Sequence, residues 1–275
     1  MQKTVGGYII SIIKTVPEEE LKIREKKVEE LVQEFSLKPK ELINGKRIED
    51  LIDKGGINPY LVNALDLRSV DNCIEYVLIQ SIGRSLVTSF GTVLEKFIAI
   101  ILGGKRMGEF DRACNSRTRN KPWYCWWDVI IDQAVEEDGK EYKGILLSVK
   151  SGPADMNKDQ VFQFCDYAQI AEENGYRPYE ILVYGKKASG VITSNLEVRG
   201  FSPDKYLKVG KEIFEEFFDD PNYYKRALTL FSKAGLERDL FQLIDEKKTQ
   251  LAKELNEMYG DGLDKLLEDT LKGED

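Results

Sequence analysis

The chain contains no histidine. That absence removes imidazole as a general base, so Ser-His-Asp and Cys-His nucleophilic schemes are excluded. Histidine-ligated zinc and iron centres are excluded with them. Cysteine is sparse. Cys73, Cys114, Cys125 and Cys165 are widely spaced with no CxxC pair, which argues against a zinc ribbon and predicts reduced, partly buried thiols. No apolar run approaches bilayer-spanning length. The most apolar N-terminal piece, YIISII at 8–13, is too short for a signal-peptide core and acids follow it, so it reads as a buried element. A cytoplasmic protein with no membrane association is expected. Positive charge is also short: 40 Lys and Arg against 48 Asp and Glu leave a net charge of −8, which argues against non-specific coating of nucleic acid.

What is present suits a folded globular chain: 275 residues, 42% hydrophobic and 32% charged, enough for one large domain and an appendage. Without imidazole, any catalysis must run on carboxylates, lysine, serine, tyrosine or a hard metal such as Mg²⁺. Basic charge concentrates in KRMGEFDRACNSRTRNK, Lys105 to Lys121, where six basic residues stand against two acidic ones.

The first third reads as helical. PEEELKIREKKVEELVQEFS has proline and acids where a helix should begin, and shorter helices are expected around 39–53. Asn58 with Pro59 predicts a capped helix start, and a further apolar helix is expected over 72–83. SFGTVLEKFIAIILGG reads as a separate buried helix ended by Gly103 and Gly104, with Glu95 among its apolar residues. The texture then changes. WWDVIIDQAV and GILLSVK are strand-like runs, and Asp138-Gly139 between them is a hairpin turn signal. QVFQFCDYAQIAEENG predicts a helix stopped by Gly175, YEILVYG another buried strand, and 189–209 a mixed segment. Helices resume from Lys211. The expected class is α/β (α+β), a mixed sheet flanked by helices, with a helical N-terminal region over 1–57, a core over 58–232 and a helical C-terminal extension over 233–275.

GILLSVKSG carries the chemistry. Period-two alternation points Ile145, Leu147 and Val149 into a core, with Leu146, Ser148 and Lys150 on the other face. In the partner run, Asp128, Ile130 and Asp132 share a face. Folding at Asp138-Gly139 then brings the aspartates near Ser148 and Lys150 as cross-strand neighbours. Carboxylates there could bind a hard divalent cation, with Lys150 positioning or deprotonating a water and opposing phosphate charge. An ordinary Asp–Lys surface pair is the bland alternative. The apolar strands, Gly152 just after the lysine and Glu95 on the preceding helix favour the metal site.

An aspartate, a hairpin and then [Asp/Glu/Ser]-x-Lys resembles the PD-(D/E)xK nuclease superfamily. FG…LEKF, IDQAVEEDG, LLSVKSG, ILVYG and VGKEIFEEF, in that order, resemble stretches of type II restriction endonucleases that cut RGGNCCY sites, over residues 58–232. The resemblance implies a Mg²⁺-dependent enzyme hydrolysing both strands of double-stranded DNA at a short palindrome. It also implies a homodimer, whose two-fold axis matches that of the site, and functional pairing with a DNA methyltransferase. By residue, it places Asp132 as the metal-binding aspartate, Lys150 as the catalytic lysine, Ser148 at the usual Asp/Glu position and Glu95 as the acid of the preceding helix. No proline precedes either aspartate, and Asp128 is a rival for the ligand role.

Base reading needs Arg, Lys, Asn or Gln in the major groove. Arg112, Asn115, Arg117, Arg119 and Lys121 are the first candidates, with phosphate steering as their alternative role. Asn157, Lys158 and Gln160 follow the catalytic strand, with helix capping as their alternative. The competing functions are a structure-specific nuclease (junction resolvase or repair endonuclease) and a non-enzymatic helical scaffold.

Overall fold

A computed structural model describes residues 16–52, 56–67, 69–116, 121–137, 139–218, 220, 222–233, 239–260 and 263–271. YIISII, Arg117, Arg119 and Asp138 lie outside the described residues.

The first third forms α1 (Glu18–Asn44), α2 (Ile48–Ile52), α3 (Pro59–Ala64) and α4 (Val70–Leu102). Three acids open α1, favourable against the helix dipole, and the helix continues through Pro39 instead of yielding there to shorter ones. At α3, Asn58 Oδ1 accepts from Leu61 N–H at 3.1 Å with Pro59 in the first turn, as the sequence predicts. The two apolar helices expected at 72–83 and after Ser89 are one. Gly83 and Gly91 sit inside α4 at a propensity cost of about 1 kcal/mol each, which its apolar packing overrides, and Gly103 follows it at φ 72°. This corrects the expectation of no long apolar run. By length and composition alone α4 could cross a membrane. A core helix passes the same test, and Cys73, Ile74, Val77, Leu78 and Ile82 of α4 lie in a hydrophobic core.

The remaining elements are β1 (Lys105–Arg106), α5 (Met107–Phe110), 3₁₀ turns at Arg112–Asn115 and Trp123–Trp126, β2 (Val129–Ile131), β3 (Val135–Glu137), β4 (Lys140–Tyr142), β5 (Gly144–Lys150), α6 (Lys158–Glu173), β6 (Tyr176–Leu182), α7 (Gly190–Val198), α8 (Pro203–Tyr206), β7 (Leu207–Val209), α9 (Lys211–Phe218), α10 (Tyr223–Lys233), α11 (Leu240–Tyr259) and α12 (Leu263–Asp269). A five-stranded mixed sheet runs in the order β1-β2-β5-β6-β7. β2 is antiparallel to β1 and β5, whereas β5, β6 and β7 run parallel, with α6 as the β5–β6 crossover. The protein is thus mixed α+β, a sheet flanked by helices.

The expected hairpin is built differently. β3 and β4 pair with each other in a small separate sheet, with Glu137 opposite Lys140. β2 still pairs with β5, in the register Val129↔Leu147, Ile130↔Leu146, Ile131↔Ile145. β5 is also covered on both faces, not one: Gly144 to Val149 are all buried, as a parallel strand between helical layers should be.

Contacts divide the chain into two compact units, Met1–Val32 with Gly91–Ala234, and Gln33–Phe90 with Gly235–Asp275. The first contains the whole sheet. Its Leu146 and Leu182 pack against Val161, Phe164, Cys165 and Ala168 of α6. The second is helical, its core drawn from α2, α4, α11 and α12. The unit boundaries fall at 32/33, 90/91 and 234/235, the last within two residues of the one expected at 232/233.

The cysteine expectation is also corrected. Cys114 and Cys125, one in each 3₁₀ turn, form a disulfide with Cα atoms 5.0 Å apart. Cys73 and Cys165 are buried free thiols, each pushed up to about 11 by burial.

Candidate functional site

The carboxyl ends of β5 and β6 gather charge in the first unit. Register decides which residues meet. Since Val129 pairs with Leu147, Asp128 falls opposite Ser148, and its N–H bonds Leu147 O at 3.0 Å. Its carbonyl accepts from Met107 N–H at 2.9 Å, and its Oδ2 accepts from Val149 N–H at 2.7 Å. Held at both ends, Asp128 places Oδ2 3.6 Å from Lys150 Nζ, with both side chains about a quarter exposed (26% and 25%). Lys150 Nζ also donates to Ser148 Oγ at 3.1 Å.

Asp132 is not brought to this group. Ile131 pairs with Ile145, so Asp132 falls opposite Gly144, six positions along β5 from Lys150, about 20 Å at the strand rise. The same alternation that puts Asp128 and Asp132 on one face puts them at opposite ends of β5.

One residue went unforeseen. On β6, Glu180 pairs with Ser148 and therefore shares the face of Ser148 and Lys150. It is 1% exposed, and neither carboxylate oxygen has a hydrogen-bond partner. Burial raises its pKa to about 8, with Lys150 and Ser148 acting against that rise and Asp128 adding to it. Lys150 shows the counterpart. Burial pulls its pKa down, but Glu180, Asp128 and Glu95 outweigh that and hold the ammonium above its ordinary value. YEILVYG gave no sign of this carboxylate, because a glutamate amid strand residues ordinarily faces solvent.

Glu95 lies near enough to feel Asp128 and Lys150, but it is engaged: Arg106 Nη2 donates to its Oε2 at 2.8 Å. Burial and then Asp128 raise its pKa, and Arg106 lowers it. Beside this pair is a cavity of ≈ 150 Å³ lined by Glu95, Arg106, Asn115, Trp127, Asp128 and the disulfide. Asn115 thus shares a cavity with two of the carboxylates, and its Nδ2 donates to Gly108 O at 2.9 Å. Arg112 is exposed, and Lys121 donates to Cys114 O at 2.7 Å. A larger cavity of ≈ 440 Å³, lined among others by Lys187, Asp204, Lys208 and Glu216, mixes charges away from this group.

Past Lys150, a Cβ at Gly152 would collide with the Tyr184 ring, so a side chain and not another backbone approaches this glycine. Asn157 and Gln160 take the capping role. Asn157 Oδ1 accepts from Gln160 N–H, and Gln160 Oε1 from Asn157 N–H, each at 2.9 Å. Lys158 is exposed, 5.2 Å from the Phe162 ring centre.

Whether these residues fit a divalent cation turns on Glu180. A buried carboxylate with no donor is costly, and a hard cation is a partner that satisfies it. Among the described residues, no group of three His, Cys, Asp or Glu side chains is disposed to hold a metal. The donor set is therefore one or two carboxylates. That suits Mg²⁺, which keeps several waters and takes substrate phosphate oxygens.

No known protein-family model matches the chain, and no curated protein matches it either.

Proposed function

We propose that the protein is a Mg²⁺-dependent endonuclease with a PD-(D/E)xK-type core. In this reading it is a type II restriction enzyme cutting both strands of a short palindromic DNA site. It would act in the cytoplasm as a homodimer, alongside a DNA methyltransferase. The observation that carries the reading is the Asp128–Lys150 pair, 3.6 Å apart at the carboxyl end of β5 and open to solvent. In open α/β sheets, ligands bind at the carboxyl ends of parallel strands.

The 3.6 Å separation favours Asp128 over Asp132 as the ligand-bearing aspartate. When bound, the cation supplies polarisation of a phosphate oxygen. Asp128 would hold it, kept in place by the Val149 N–H. Lys150 would donate to the attacking water and oppose charge building on the phosphate. Ser148, accepting from Lys150, fixes the ammonium at the carboxyl end of β5. Glu95, tied to Arg106, sets the charge around Asp128.

Plasmid and branched-duplex substrates incubated with Mg²⁺ test the reading. Discrete plasmid fragments are expected. Nicking only at branches would make this a structure-specific nuclease, and no cleavage of either substrate would remove the nuclease function. Lys150→Ala should lower cleavage by about 10²–10³-fold, the usual worth of a donor that stabilises transition-state charge, while DNA binding persists.

A further inference from the structure

β5 lacks a carboxylate at Ser148, and its register partner on β6 is a buried carboxylate whose oxygens make no hydrogen bond. Three observations converge there. Glu180 and Ser148 are paired positions of parallel strands and face the same way. Glu180 is almost wholly buried, yet both of its oxygens lack partners. Asp128, opposite Ser148 from the other side of β5, is a second carboxylate held with its Oδ2 on the Val149 N–H. The side chains of Asp128, Ser148 and Glu180 thus line up across three adjacent strands, with Lys150 two residues further along the same face.

We propose that Glu180 and Asp128 together form a site for one hard divalent cation, Mg²⁺ or Mn²⁺, in which Glu180 supplies from β6 the carboxylate that β5 lacks at Ser148. The proposal rests on the nuclease reading for the purpose of the site, not for its chemistry. Two carboxylate oxygens are a sufficient protein contribution for an ion that completes its shell with water and phosphate. Asp128 is about a quarter exposed, whereas Glu180 is almost wholly buried. A cation bridging them would satisfy the oxygens left orphaned inside the sheet.

The test is Mn²⁺ binding to the full-length, DNA-free protein, read by electron paramagnetic resonance at millimolar metal, for wild type, Glu180→Gln and Asp128→Asn. Both substitutions are isosteric and replace a carboxylate ligand by an amide, so circular dichroism should report unchanged folding. Wild type should bind Mn²⁺, with each variant at least about 10-fold weaker. Wild-type affinity in Glu180→Gln, or no binding by wild type, overturns the proposal. Plasmid cleavage separates the two ideas. Mn²⁺ binding that depends on Glu180 without any DNA cleavage keeps the metal site and removes the nuclease reading. Cleavage with Glu180→Gln unaffected in binding and rate does the reverse.

Discussion

On one face of β6, Arg177 is fully buried yet surrounded by partners. It pairs with Glu137 of β3, donates to Lys205 O at 2.7 Å and Pro178 O at 3.2 Å, and lies 4.4 Å and 4.7 Å from the ring centres of Tyr179 and Tyr206. Tyr179 Oη donates to Glu137 Oε1 at 3.4 Å. On the opposite face, three residues on, Glu180 is as deeply buried and makes no hydrogen bond. Sheet, strand and burial are the same, but polar satisfaction is opposite. A buried ion pair with its hydrogen bonds complete holds architecture, in this case fastening the β3–β4 sheet to β6. A buried carboxylate without a donor carries a desolvation cost that the fold does not recover by itself. The first is complete within the chain, whereas the second has only the Lys150 charge and Ser148 to offset its burial.

Breaking the satisfied face should have the largest effect. Arg177→Met leaves Glu137 buried without its cation and should lower unfolding free energy by about 3–5 kcal/mol. Adding Glu137→Leu should restore most of that in urea melts, and a double variant as weak as the single one would contradict an isolated pair. Glu180→Gln should act with the opposite sign. In metal-free protein at pH 8 it should raise stability by about 1–3 kcal/mol, the cost of one unsatisfied polar group. The sign follows from linkage: a carboxyl whose pKa rises to about 8 on folding contributes its stability in full below its unfolded pKa. That contribution is lost as pH climbs towards 8. The gain of the Gln variant should therefore be small near pH 5 and grow towards pH 8, and a gain flat with pH would mean the carboxyl is not buried as described.

The covering of the Glu180 face should be less sensitive. α6 packs on Leu146 and Leu182 and is capped by Asn157, so Asn157→Ala should cost about 1 kcal/mol while Asn157→Asp keeps stability. If Asn157→Asp keeps stability but loses DNA cleavage, the side chain reads DNA as well as capping. The smallest effect is expected at Asp132, which belongs to neither face's cluster. Asp132→Asn should leave Mn²⁺ binding and cleavage at wild-type levels, and a loss like that of Asp128→Asn would reverse their ranking.

The sequence announced β5, α6, the α3 cap and the lysine–serine edge, because each follows from local pattern: alternation, helical spacing, a capping asparagine. Register was not legible. Alternation assigns Asp128 and Asp132 to one face but cannot say which meets Lys150, since pairing slides in whole residues. The expected two-run hairpin did not form as such: β3 and β4 pair as a separate sheet, and β2 reaches β5 past them. Glu180 was hidden because its meaning comes from a neighbouring strand and a covering helix. The cysteine pairing was hidden for a similar reason, since spacing alone does not bring two loop residues together.

The division into units has a consequence for how the chain is made. Each unit is assembled from two stretches, and the pieces interleave: Met1–Val32 belongs with Gly91–Ala234, and Gln33–Phe90 with Gly235–Asp275. A ribosome delivers them in the wrong order for either to finish early. The helical unit has to hold its first stretch, Gln33–Phe90, open until the stretch from 235 onward emerges, after the sheet is complete.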